Sequence, residues 1–208
     1  MQAEQAVTII PANEATAHDL DAIFGTRGEG AYCRCQRYKL QPKESFDAVP
    51  VEVRAERQRM QARCGEPSSP TTSGLVAFID GEPVGWCAVE PRNHYPGLLR
   101  VYRVPWMGRA EDKSDASVWA VTCLFTRAGY RRRGVSRALA HGAVAHARAR
   151  GARALEAYPM VTQPGQDVPW GELHVGTEGV FAEAGLAVVN HPTPRRLVMR
   201  IEFGSAGA

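Results

Sequence analysis

The chain has 208 residues, a formal net charge of +3 and an ordinary globular composition. No apolar run approaches the roughly 20 residues of a membrane-spanning helix, and the first residues lack the basic-then-apolar pattern of a signal peptide. The charge is too small to indicate nucleic acid. We therefore expect a cytoplasmic protein without a membrane or nucleic-acid partner. Of its 25 basic residues, 22 are arginine, a bias that is typical of a GC-rich bacterial genome.

The first third of the chain combines a short strand, two helices and an irregular segment. An apolar run at residues 6–12 predicts the strand, and residues 16–24 and 49–65 predict the helices. The irregular segment between the helices contains the pair Cys33 and Cys35. No second pair stands at metal-ligand spacing, so we predict no metal site.

The middle of the chain contains a hairpin and a long connection. Two apolar runs within residues 74–91 flank the turn Asp80-Gly81, and Asp-Gly is typical of tight hairpin turns. Residues 92–115 then form a connection rich in Pro, Gly and charge. Connections of this length in compact domains are usually functional or mobile.

Residues 117–156 read as a strand, a basic turn, a helix and a second strand, and they are the most informative part of the sequence. Because a helix joins the two strands, the strands should be parallel. The turn carries Arg131, Arg132 and Arg133 directly before the helix. The first amides of a helix lack intrahelical partners, and the helix dipole adds positive charge there. The turn therefore predicts a seat for a phosphate or pyrophosphate.

The remaining chain predicts a loop over residues 159–173, a short helix over 176–185 and a final hairpin around 191–194. No repeat and no domain boundary interrupt the sequence. We therefore expect residues 1–208 to form a single domain.

The spacing of Arg131, Gly134 and Ser136 resembles the signature of the GNAT superfamily of acetyl-CoA-dependent N-acetyltransferases, Gln/Arg-x-x-Gly-x-Gly/Ala. The segment FAEAGLAVV at 181–189 is similar to the superfamily's second recurrent segment. The resemblance covers residues 75–203, whereas the first 70 residues look family-specific. It implies an α/β (α+β) fold with a mixed, mostly antiparallel central sheet, a parallel strand–helix–strand cofactor unit and helices on both faces.

The resemblance also implies how acetyl-CoA, the acyl donor, would be held. Backbone groups of the strand end would bond the pantetheine arm, and the helix amides with the arginines would hold the pyrophosphate. A Cβ at Gly134 would keep the phosphate away from those amides. The implied cofactor-binding residues are Leu124, Phe125, Thr126, Arg131, Arg132, Arg133, Gly134, Val135, Ser136 and Arg137.

Acyl transfer to an amine needs a proton acceptor, an oxyanion donor and a proton for the leaving thiolate. Glu90, at the end of the hairpin's second strand, is the first candidate for the base, with a surface carboxylate as the alternative. Glu156 and Tyr158 share one face of the second strand of the basic unit, although a strand tyrosine is more often part of the core. His174 is a third candidate, with Glu172 beside it, although a loop histidine is more often solvated.

One position departs from the superfamily pattern. The usual general-acid tyrosine falls at Phe181, which has no proton to donate. Tyr158, Tyr130 or water would have to replace it. Cys123 is expected to pack in the core or against the cofactor, because no motif supports covalent catalysis.

The leading hypothesis is transfer of an acetyl (acyl) group from acetyl-CoA to a primary amine of a small molecule or peptide, by direct attack in a ternary complex. The alternative is a catalytically silent acyl-CoA-binding sensor or interaction module on the same fold. A nucleic-acid binder is disfavoured, because the basic cluster has no aromatic platform beyond Tyr130. The sequence leaves a homodimer open. The residues expected to shape the acceptor pocket are Trp106, Asp112, Asp167 and Trp170.

Overall fold

The computed structural model describes residues 6–162, 168 and 170–204, without the side chain of Trp170. The strands are β1 (Val7–Pro11), β2 (Gly74–Ile79), β3 (Glu82–Pro91), β4 (Val118–Thr126), β5 (Ala154–Ala157), β6 (Ala187–Thr193) and β7 (Arg196–Glu202). The α-helices are α1 (Ala17–Phe24), α2 (Gly28–Cys33), α3 (Val51–Ala62), α4 (Pro96–Arg100), α5 (Val135–Ala149), α6 (Trp170–Leu173) and α7 (Glu178–Glu183). No helix among these residues is long and apolar enough to cross a membrane.

The seven strands form one sheet in the order β1-β2-β3-β4-β5-β7-β6. β4 and β5 are parallel, and the other neighbouring strands are antiparallel. The mixed, mostly antiparallel sheet with a parallel strand–helix–strand unit is therefore confirmed. Helix α5 buries Val135 and Leu139 against the sheet, because these residues stand four positions apart and share one helix face.

Several predicted segments differ in detail from the structure. The segment predicted as irregular contains α2, and the connection over residues 92–115 contains α4. The final hairpin turns at Pro194-Arg195, after β6 has continued through Thr193. The segment predicted as a loop over 159–173 contains α6 at its end. These differences arise because prolines and short apolar runs do not define where a short helix or strand begins and ends.

A β-bulge in β4 lies where β4 and β5 separate. The register with β3 shifts between Ala88 and Val89, so that Cys123 and Val121 face consecutive residues of β3. β5 accompanies β4 only as far as Val121, although β4 continues to Thr126. A bulge bends its strand and increases its twist. The second half of β4 therefore has no neighbouring strand on its β5 side.

Candidate active site

A cavity of about 430 Å³ lies beside the unpaired half of β4. Leu124 and Thr126 form its β4 wall, and Arg131, Arg132 and Ser136 form the wall at the start of α5. Facing these residues are Val168, Leu173, Gly176, Thr177 and Val180. We refer to this space as the Leu124 cavity. It joins the end of the strand to the basic turn, as the sequence predicts for a phosphate-bearing ligand.

The basic turn presents the helix amides. Gly134 is the N-cap of α5, has φ +76° and provides no side-chain cap. The first bond of the helix runs from the amide of Ala138 to the carbonyl oxygen of Gly134 at 3.0 Å. The amides between them therefore precede the intrahelical bonding pattern. A contact of 3.2 Å between Thr126 Oγ1 and Ser136 Oγ holds the turn onto the strand.

The three arginines of the turn and Arg137 in the first turn of α5 differ in their surroundings. Arg131 and Arg132 are exposed and form no ion pair within the described ranges. Arg133 lies over the ring of Tyr130 at 5.2 Å from its centroid. The side chain of Arg137 is paired with Glu183 at 2.7 Å. Uncompensated positive charge is thus concentrated on the side of the turn that faces the Leu124 cavity.

The inner end of the Leu124 cavity is closed by the chain itself. The amide of Leu124 donates to the carbonyl oxygen of His174 at 2.7 Å, and the amide of Met160 donates to Gly176 at 3.0 Å. A parallel bridge joins Met160 and Thr177. Residues 174–177 therefore fill the gap between the diverging ends of β4 and β5 and bond like an additional short strand.

A second cavity, of about 270 Å³, begins on the other side of this segment. Leu173 lines the Leu124 cavity, whereas its neighbour His174 lines the second one. The other residues that line this cavity, which we call the tyrosine cavity, include Tyr38, Tyr102, Tyr158, Arg37, Arg196 and Glu172. His174 is 5 % exposed, and its ring centroid is 6.1 Å from that of Tyr38. His174 thus lines the tyrosine cavity, and its backbone carbonyl oxygen bonds the amide of Leu124, a residue that lines the Leu124 cavity.

Tyr158 is held by a buried charge cluster. Its hydroxyl donates to Glu156 Oε2 at 2.9 Å, and burial together with this carboxylate raises the pKa of Tyr158 well above its usual range. Glu156 is fully buried and contacts the guanidinium groups of Arg92, Arg109 and Arg200. The predicted role of Glu156 in the acceptor pocket is not supported, because three arginines occupy its oxygens. Tyr158 lines the tyrosine cavity, but its proton is engaged.

Glu90 lies in a different cavity, of about 800 Å³, which also contains Lys39 and His94. Its carboxylate contacts Lys39 Nζ and lies 3.2 Å from His94 Nδ1. Burial lowers the pKa of Lys39 to about 7. Glu90 pairs in register with Ala120, four residues before Leu124. The structure therefore does not bring Glu90 together with Tyr158 and His174, and its strand-end position is that of a buried ion-pair partner.

The side chains of several predicted residues belong to the core. Phe125 stacks on Phe24 at 4.9 Å between centroids, because successive strand residues point to opposite faces. Val135 packs against the sheet, so only its backbone faces the basic turn. Cys123 is buried, and its sulfur lies 2.8 Å from that of Cys35. Phe181 is 1 % exposed.

The residues expected to shape the acceptor pocket have other places. Trp106 is 6 % exposed and donates from Nε1 to the carbonyl oxygen of Leu98 at 2.8 Å. Asp112 is exposed and accepts from Ser114. Asp167 and the side chain of Trp170 lie outside the described residues. The segment that contains Arg37 and Tyr38 lines the tyrosine cavity instead, and its aromatic and basic composition was the available signal.

The comparisons with known proteins agree with this geometry. Residues 37–166 match the model of the acetyltransferase (GNAT) family. No curated protein sequence matches the chain. Among solved structures, an N-acetyltransferase from Staphylococcus aureus Mu50 superposes with a TM-score of 0.52 at 12% identity, covering 95% of this chain and 98% of that one. A GCN5-related N-acetyltransferase from Kribbella flavida gives 0.51 at 18% identity, covering 95% and 98%.

A third similar structure is yncA of Salmonella typhimurium, described as an acetyltransferase with its cofactor acetyl-CoA. It gives a TM-score of 0.52 at 15% identity and covers 97% of each chain. At these identities the structures show the common fold, and the family model, which spans more than half of the chain, identifies the family. The chain therefore belongs to the acetyltransferase (GNAT) family.

Proposed function

We propose that this acetyltransferase acylates a primary amine of a small molecule or peptide by direct attack within a ternary complex. The observation that carries the proposal is the placement of two cavities on either side of His174. One leads from a phosphate seat to the edge of β4, and the other is walled by aromatic rings. A donor and an acceptor bound in these cavities would meet at the Leu124–His174 contact, as proximity catalysis requires.

The residues of the Leu124 cavity fit acetyl-CoA. The arginines Arg131 and Arg132 would neutralise the pyrophosphate, and the first amides of α5 would bond its oxygens. Gly134 has a positive φ and no Cβ, so a phosphate can approach these amides without obstruction. Acetyl-CoA supplies an activated thioester carbonyl when it is bound. The backbone groups of Leu124 and Thr126 would then bond the pantetheine arm. The Leu124 amide would donate to that arm instead of to the carbonyl oxygen of His174.

In the tyrosine cavity, His174 is the residue that we assign to accept the proton of the attacking amine. It is the imidazole that lines this cavity, and a neutral imidazole suits that role near neutral pH. Tyr158 acts as a positioning residue, since its hydroxyl is bonded to Glu156. Phe181 supplies no proton, so the leaving thiolate, which is a good leaving group, would take its proton from water.

Thiol release from acetyl-CoA, measured across a panel of amines, tests this assignment. We expect His174→Gln to lower kcat by about 10²- to 10⁴-fold, the usual contribution of a general base. His18→Gln, on the exposed face of α1, is the matched control and should retain activity. A His174→Gln variant with an unchanged kcat would refute the role.

A second candidate function is a silent acyl-CoA-binding module. Two observations favour it: the Leu124 amide is already bonded to the protein, and position 181 is a phenylalanine in the core. Stabilisation of the protein by acetyl-CoA, without thiol release for any amine of a broad panel, would support this function over catalysis.

A further inference from the structure

The tyrosine cavity carries positive charge that the described protein does not neutralise. Arg37 and Arg196 both line it, and neither has a carboxylate within ion-pair distance among residues 6–162, 168 and 170–204. Arg196 Nη1 is 3.4 Å from the carbonyl oxygen of Glu172. The Nε atom of Arg37 is buried without a hydrogen-bond partner. Both guanidinium groups therefore retain capacity for an anion.

The other polar groups of the cavity do not supply that anion. Glu172 also lines the cavity, but its carboxylate is bonded to the exposed Arg195 at 2.6 Å. Tyr38 and Tyr158 are buried, and their burial raises the pKa of each hydroxyl. The phenols are thus neutral at physiological pH. The cavity offers two cations and neutral hydroxyls, which together suit a carboxylate.

We infer that the acceptor is an amine that carries a carboxylate close to the amino group, such as a single free amino acid. The inference rests on the proposed function, whose acceptor site it specifies. The two guanidinium groups would repel a polyamine or another multiply charged cation. Their field would also lower the pKa of the bound ammonium group, since like charges favour the neutral form. The neutral amine is the form that attacks a thioester.

The size of the cavity supports a single amino acid rather than a peptide segment. Its volume is about 270 Å³, or the space of roughly nine water molecules at about 30 Å³ each. The rings of Tyr38 and Tyr102, whose centroids lie 4.5 Å apart, provide an aromatic wall. Apolar or aromatic side chains would pack against such a wall.

Matched pairs of acceptors test the inference. Phenylalanine is compared with phenethylamine, tyrosine with tyramine and leucine with 3-methylbutylamine, each in thiol release from acetyl-CoA. We expect kcat/KM to be at least about 10-fold higher for the amino acid of each pair, since one charge-assisted hydrogen bond corresponds to about 10- to 100-fold. Equal or higher values for the decarboxylated amines would overturn the inference and leave the acetyltransferase activity intact.

Substitutions locate the effect. Arg37→Gln and Arg196→Gln should each raise KM for the amino acids by about 10- to 100-fold, with little change for the matched amines. Arg37→Lys and Arg196→Lys keep the charge and should restore part of the affinity, which separates recognition from loss of folding. Arg148→Gln, an exposed residue of α5, is the control. An equal loss for both members of each pair would overturn the assignment.

Binding of products separates this inference from the proposed function. If no amine is acetylated, the proposed function fails, and the thermal shift with N-acetylphenylalanine or N-acetylphenethylamine in the presence of coenzyme A decides the inference. Stabilisation by the carboxylate compound alone, lost in the Arg37→Gln/Arg196→Gln variant, supports it. Equal stabilisation by both compounds, or by neither, overturns it.

Discussion

The amide of Leu124 donates to the carbonyl oxygen of His174 across a distance of 2.7 Å. With the bonds of Met160, this bond closes the inner end of the Leu124 cavity, and it borders the cavity lined by Arg37 and Arg196. The Leu124 amide that is proposed to bond acetyl-CoA therefore already has a partner within the protein. Binding of the whole donor and binding of its phosphate portion should have different effects on the protein.

Hydrogen exchange measures this difference. We expect acetyl-CoA to accelerate amide exchange in residues 171–176, because opening of the Leu124–His174 bond releases this segment from β4 and loosens the bond from the Gly176 amide to Leu173. Exchange in the first turn of α5 should become slower. Adenosine 3′,5′-bisphosphate, which lacks the pantetheine arm, should leave residues 171–176 unchanged. Saturating acetyl-CoA that leaves these residues unchanged, or protects them, would contradict the expected displacement.

The proposed phosphate site at the start of α5 depends on Gly134. We expect Gly134→Glu to abolish stabilisation by acetyl-CoA, because the carboxylate would stand at the helix amides and repel the pyrophosphate. A ligand at 100 times its Kd stabilises the wild type by about 2.7 kcal/mol, a readily measured rise in Tm. Gly151→Glu is the control, since Gly151 has a similar φ of +74° at the opposite end of α5. An undiminished rise in Tm for Gly134→Glu would contradict the seat.

The ion pair of Glu90 and Lys39 predicts a structural phenotype. Glu90→Gln leaves Lys39 in a buried position without its carboxylate, and breaking a buried pair costs about 3–5 kcal/mol. We therefore expect lower stability in urea unfolding, with kcat at saturating substrates reduced less than about 10-fold. The double variant Lys39→Met/Glu90→Leu should regain part of the stability. A 10²-fold lower kcat with an unchanged unfolding midpoint would instead identify Glu90 as the general base.

The charge cluster around Glu156 makes a separate prediction. Glu156→Gln removes the buried negative charge that three arginines share, at a cost of about 3–5 kcal/mol in the free energy of unfolding. Glu202→Gln, which removes an exposed carboxylate beside the same Arg200, should cost less than about 1 kcal/mol. Similar losses for both variants would show that burial does not govern this cluster.

Local patterns predicted the parts of the fold that depend on neighbours in sequence. The Asp80-Gly81 turn, the start of α5 after Gly134 and the parallel pairing of β4 with β5 all follow from short-range chemistry. The position of Glu90 at a strand end was also correct. Its partner Lys39 comes from 51 residues away, and no local pattern indicates such a contact.

The tyrosine cavity was predicted only in part, since Tyr158 and His174 were candidates but Arg37 and Arg196 were not. Arg37 and Arg196 are separated by most of the chain, and only the folded sheet brings them to one cavity. The Leu124–His174 bond likewise depends on where the chain returns after β5. Sequence alone therefore indicates the phosphate seat, which is one contiguous turn, but not the site assembled from distant segments.

The bridge between Met160 and Thr177 has an evolutionary consequence. Because Met160 and Thr177 lie side by side, the ends of the stretch between them are held together, and a longer stretch would add only a small cost in loop-closure entropy. A change confined to this stretch would leave both bridge residues in place. Since the stretch contributes His174 to the tyrosine cavity, changes within it offer a route to new acceptor preferences that leaves the sheet and the start of α5 unchanged.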